Sequence, residues 1–87
     1  MDLDALNALV TSAIWRAEQL EEQDARAARL AWAEVSLLEE ELATVLSVSE
    51  PEGRIARRGA VSSALKAEDF RRAQKLADKF LAPPTVH

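Results

Sequence analysis

The side chains able to do chemistry in this 87-residue chain are few and poorly grouped for catalysis. There is no cysteine, which excludes disulfides and thiolate metal sites. The one histidine is His87, at the end of the chain, where order is usually low. No Ser or Thr comes with a base in a nucleophile signature, so no catalytic residue is expected. Carboxylates do recur at helical spacing: Glu18 and Glu22 lie one turn apart, Glu34 and Glu41 two turns apart. Helical bundles that hold paired metals combine such glutamates with a Glu-x-x-His motif. That motif is absent, so Glu39-Glu40-Glu41 reads as a solvated face. Neither a metal nor a cofactor is expected.

Cations are the second group. Arg54, Arg57, Arg58, Arg71, Arg72, Lys75 and Lys79 make the C-terminal part basic, and Arg72, Lys75 and Lys79 share one helix face. Such a face could neutralise phosphates. Against this, the chain as a whole carries a formal charge of −4, and no helix-turn-helix signature stands out. A nucleic-acid-associated regulator or antitoxin is therefore the second-ranked reading. The first is that this face pairs with acidic helix 2, its own or a neighbour's. Residues 1–50 hold eleven acids and three bases, residues 51–87 four acids and eight bases, a split of −8 against +4. Asymmetry of this kind suggests charge-complementary contact within the fold or between chains.

The elements that position these groups are helical. Gly (2) and Pro (3) are scarce, so long helices and short loops are expected. Asp2 or Asp4 caps a first helix with the stripe Leu3, Leu6, Val10, Ala13, Ala17, Leu20, and with Leu9 and Ile14 beside it. "EEQD" at 21–24 interrupts that stripe. A second follows, four residues out of phase: Ala28, Ala31, Val35, Leu38, Leu42, Val45, flanked by Trp32 and Leu46. One continuous helix would need a stutter here, and a tight turn capped by Asp24 is preferred. Ser49-x-x-Glu52 fits a capping box around Pro51, opening a third helix over 51–66 with a small-residue face of Ala56, Ala60, Ala64 and Ala67. Asp69 caps a fourth helix that buries Phe70, Ala73, Leu76, Ala77, Phe80 and Leu81, and Pro83-Pro84 stops it. Gly53 and Gly59 lower helix propensity. Arg54, Arg57 and Arg58 are thus expected in the least stable stretch, the first to be cut by an Arg-specific protease; that they simply solvate helix 3 is preferred over a regulatory cleavage site. Trp15 lies off its stripe: either helix 3 or 4 covers it, the preferred reading, or it anchors an interface. Trp32 reads as core.

A repeat emerges when Asp24 is set over Asp69. "QDARAARLAWAEV" then lies over "EDFRRAQKLADKF", with Ala28 on Ala73, Trp32 on Ala77 and Val35 on Phe80. The stretch "ALKAEDFRRAQKLADKFLAPP" resembles the tetratricopeptide repeat in its acidic turn before an aromatic, its small residue at Ala73 and its closing proline. It departs from that family in lacking the Trp-Leu-Gly run and in placing the large Phe80 where a small residue is usual. Solenoid units of this kind cannot bury their faces alone, and about three are usually needed. Two units make either a closed four-helix bundle or a fragment that another chain completes. "WAEVSLLEEELATVL" followed by "EGRIARRGAVSSALKAEDFRRAQKLADKFL" is also similar to small bacterial proteins encoded beside caspase-like proteases with tetratricopeptide-like regions, the CATRA-associated small proteins. That resemblance implies an accessory role in a bacterial conflict or defence system and supplies no catalytic residue.

The expectation is one all-α domain over 1–87, four helices in two antiparallel hairpins (about 3–47 and 51–82) with a tail at 83–87, arranged as a bundle or like tetratricopeptide repeats. Its expected role is non-enzymatic protein–protein interaction: an accessory subunit docking on a helical-repeat or caspase-like protease partner, or on itself. The aliphatic core is thin, which makes self-association or completion by a partner expected. The candidate interface residues are Trp15, Arg57, Arg58, Arg72, Lys75 and Lys79. The acidic N-terminus lacks the basic flank of a signal peptide and no apolar run reaches membrane-spanning length, so a cytoplasmic setting without a membrane is expected.

Overall fold

The computed structural model describes residues 2–47 and 49–81. These form four helices and, among the described residues, no strand: α1 (Leu3–Glu21), α2 (Ala25–Val45), α3 (Glu52–Lys66) and α4 (Phe70–Phe80). Aspartates open three of them. Asp2 Oδ1 accepts from the Ala5 amide at 2.7 Å, Asp24 Oδ1 from Ala27 at 3.1 Å and Asp69 Oδ1 from Arg72 at 3.1 Å, each satisfying an amide that has no partner inside its helix. The amides of Gln23 and Asp24 both turn back to the Leu20 carbonyl, at 3.0 and 2.9 Å. The first hairpin therefore has two separate arms joined by a tight turn. Glu68 closes α3 in the left-handed conformation, φ 60°, and the Asp69 amide reaches the Ala64 carbonyl at 3.0 Å.

The start of α3 differs from the expected capping box. Pro51 occupies the cap position and has no side-chain donor or acceptor to offer. Ser49 sits two residues too early, so its backbone carbonyl, not its hydroxyl, receives the Gly53 amide at 2.9 Å. The expected stop at Pro83-Pro84 lies outside the described residues; the last helical residue is Phe80, and the Leu81 amide bonds the Ala77 carbonyl at 2.8 Å.

Each helix packs against its neighbours in sequence, α1 on α2, α2 on α3 and α3 on α4, and no other pair brings Cα atoms within 8 Å. Among the described residues the helices are thus stacked in chain order rather than closed into a ring, and α4 does not return to α1. Three apolar clusters hold the stack: Leu6, Val10, Leu42, Ala43 and Ala56 at one end; Ala13, Ala17, Ala28, Trp32 and Val35 at the other; Ala60, Ala64, Ala73 and Leu76 under α4. Among the described residues, eight of the fourteen buried apolar residues are alanines, so the helices approach closely while each brings little apolar area out of water.

Burial agrees with the sequence stripes on the inner faces and departs from them at the edges. Trp32 is core, at 4% exposure. Trp15 is not covered: it is 65% exposed on the side of α1 facing away from α2, because no helix of the stack reaches that side. Phe70, Leu81, Val45, Ile55 and Leu65 are also exposed, since the open stack leaves no neighbour for them. Conversely, α2 buries Ser36, Glu39 and Ala43 together with the expected stripe, because it alone is clasped from two sides along most of its length. No described helix is long and apolar enough to cross a membrane.

Candidate functional site: the groove between α1 and α3

Since α1 and α3 both lean on α2 without meeting each other, a groove of about 320 Å³ opens between them. One wall is a second stripe of α1, Leu3, Asn7, Val10 and Ile14, spaced four, three and four and rotated from the stripe that packs on α2. The opposite wall is the first turn of α3, with Glu52, Ile55 and Ala56. The floor is α2, with Glu39, Leu42 and Leu46. Apolar side chains thus dominate the lining, and Ile55 stands 65% exposed at its rim.

Glu39 is the unusual residue of the floor. It is 8% exposed, and among the described residues neither oxygen accepts a hydrogen bond or meets a cation within 4.0 Å. No side-chain polar atom of the described chain is sealed from water without a partner, so the carboxylate keeps a narrow access through the groove. It lies against the backbone of Gly59, where a Cβ would come within 2.6 Å of Glu39 Oε2. Gly59 therefore leaves room for the Glu39 carboxylate, the movable end of that side chain. Burial pushes the Glu39 carboxyl up from 4.5 to about 7.

The next residue along, Glu40, has the opposite environment. Arg72 Nη2 donates to Glu40 Oε1 at 2.8 Å and Lys79 Nζ to Oε2 at 3.2 Å, while Arg72 Nε donates to Ser36 Oγ at 3.0 Å. Ser36 in turn donates to the Ala60 carbonyl at 2.8 Å, so the network ties α2, α3 and α4 together. The Arg72 hydrogen bond above all, with help from Lys79, holds the Glu40 carboxyl below its ordinary value despite partial burial.

The six residues singled out in the sequence do not converge. Arg72 and Lys79 meet at Glu40, whereas Lys75 points into solvent. Arg57 is folded back: it pairs with Glu50 and donates to the Ser47 carbonyl at 3.3 Å, with its side chain only 19% exposed. Arg54 beside it is exposed and also pairs with Glu50, and Gly53 is buried against the Leu46 carbonyl. Arg58 is exposed, and Trp15 lines a shallow depression with Thr11, Ser12 and Arg16 on a different side. None of the six lines the groove. The charge split of the two halves is partly answered inside the fold, by Glu40 with Arg72 and Lys79 and by Glu50 with Arg54 and Arg57.

A second pocket, of about 310 Å³, lies where Trp32 meets the ends of α1 and α3. Its polar groups already answer one another: the Trp32 indole donates to Glu21 Oε1 at 3.0 Å, Lys66 Nζ sits 4.2 Å from the ring centroid, and Arg29 pairs with Glu68. The groove is the site whose polar group is left unanswered. Glu39 was legible in principle, since Trp32, Ser36, Glu39, Ala43 and Leu46 form a second stripe spaced four and three. A serine and a glutamate within it masked the pattern. Among the described residues no group of three His, Cys, Asp or Glu converges on a metal-sized site.

Comparison of the chain with protein-family models, with curated proteins and with solved structures finds no match.

Proposed function

We propose that the chain is a non-enzymatic interaction module, an accessory subunit that docks on a larger protein through the groove between α1 and α3. The observation that carries this reading is the apolar groove itself, flanked by two helices and closed by none. The apolar side chains of its rim, Leu3 and Ile55, are exposed, and a partner helix would cover them. The open chain-order stack supports the same reading, because helical units of this kind need a neighbour to complete their faces. The likeness to accessory proteins of conflict systems would make that partner a caspase-like protease with helical repeats. Nucleic-acid binding by α4 ranks second: two of its three aligned cations are engaged by Glu40.

Affinity capture from the native host tests the reading with three baits: the native chain, Ile55→Asp in the groove, and Lys75→Glu on the basic face. Ile55 is exposed, so its replacement leaves the fold intact. One protein should be retained by the native chain and by Lys75→Glu and lost with Ile55→Asp. Capture of nucleic acid that Lys75→Glu abolishes and Ile55→Asp leaves unchanged would replace this reading by the second.

A further inference from the structure

We propose that the groove takes an amphipathic helix of the partner that carries one lysine or arginine within its apolar stripe, the cationic head meeting Glu39 on the floor. The inference rests on the docking reading and adds the chemistry of the partner. Geometry gives the helix. From Leu3 to Ile14, eleven residues at 1.5 Å each, the wall of α1 runs about 16 Å, three turns. Two helices flank the space and a third floors it, which is the layout of a bundle without its fourth member. A helix laid there would place apolar residues spaced three and four against Val10, Ile14, Leu42, Leu46 and Ile55.

Charge complementarity gives the cation. Glu39 and Glu52 are the ionisable groups of the lining. The chain holds eleven Lys and Arg, yet none of them lines the groove. The nearby Arg54 and Arg57 are both drawn to Glu50. A carboxylate held in apolar surroundings is costly unless it is paired, and covering the groove with an uncharged helix would strand Glu39 completely. An anionic segment would be repelled by both glutamates. A second copy applied groove to groove would set the same carboxylates against each other. A buried cation reaching down an aliphatic stem answers all three constraints, and the raised pKa of Glu39 reports the missing partner.

The test uses the full chain, isotope-labelled, and three capped 15-residue helix-forming peptides with leucines spaced three and four. Their central stripe position holds Lys, Gln or Glu. Near pH 8, where Glu39 is ionised, the Lys peptide should shift the resonances of residues 3–14, 39–46 and 52–56. It should bind about tenfold tighter than the Gln peptide, the effect of one well-placed charge pair. Glu39→Gln should erase that preference, whereas Glu52→Gln at the rim should keep most of it. Equal binding of the three peptides overturns the charge recognition and leaves the docking groove standing. Shifts outside the groove, or none at millimolar peptide, overturn the inference as well, while the docking reading is then judged by the Ile55→Asp capture.

Discussion

At the scale of single residues, Glu39 and Glu40 are adjacent carboxylates that titrate in opposite directions. The folded-state value of Glu39, about 7, lies above the 4.5 of the free side chain. Between those values the folded chain holds a proton that the unfolded chain has released. The stability linked to Glu39 is therefore fully present below about pH 4.5 and is lost as pH rises through about 7. Glu40 is lowered by its hydrogen bond from Arg72, so its contribution is present above 4.5 and is lost as pH falls through its folded value. Glu39→Gln should remove the first slope. Thermal melts of variant and native chain should coincide near pH 4, and the variant should be more stable near pH 8 by on the order of 1–2 kcal/mol. A variant that melts lower near pH 8 would mean that Glu39 finds a cation in the isolated chain, against the groove described above. The residue-level reading of the sequence erred here for a definite reason: a glutamate in a run of three was assigned to solvent, and the run in fact spans three environments. Glu39 faces the groove, Glu40 faces α4, and Glu41 is exposed.

At the scale of elements, the boundaries were legible because aspartates mark them. Asp2, Asp24 and Asp69 cap α1, α2 and α4 as their positions before apolar stripes imply. What the stripes could not convey was how many neighbours each helix has. The α2 helix buries two faces, so Ser36 and Glu39 are inside; α4 meets only α3 at backbone distance, so Phe70 and Leu81 stay outside. Propensity alone does not show what the glycines of α3 meet. A Cβ at Gly53 would overlap the Leu46 carbonyl oxygen, which is backbone and cannot step aside. At Gly59 the obstacle is the Glu39 carboxylate, the movable end of a side chain. Gly53→Ala should therefore destabilise the chain by about 1–3 kcal/mol despite the better helix propensity of alanine. Gly59→Ala should cost less, since the carboxylate can swing into the groove. Chemical denaturation of the two variants checks the order; the reverse order would place the close approach of α2 and α3 at the wrong end.

At the scale of the whole molecule, four helices and all-α character follow from the scarcity of Gly and Pro and from four amphipathic stripes. The arrangement of those helices does not, because an open stack and a closed ring use the same stripes and the same short turns. Among the described residues the structure is the open form, with eight alanines in its fourteen buried apolar residues and large apolar side chains left at its edges. A stack so thin in core leaves an apolar groove open between α1 and α3. The central claim, that the groove is where a partner docks, is tested most directly by photo-crosslinking. A photoreactive residue is placed in turn at Ile55 on the groove rim, at Trp15 on the outer side of α1 and at Leu30 on the outer side of α2, all three exposed positions. Irradiation in the native host should give one discrete protein adduct from position 55 and none from position 30. A discrete adduct from position 15 with none from position 55 would contradict the claim and move the interface to the far side of α1.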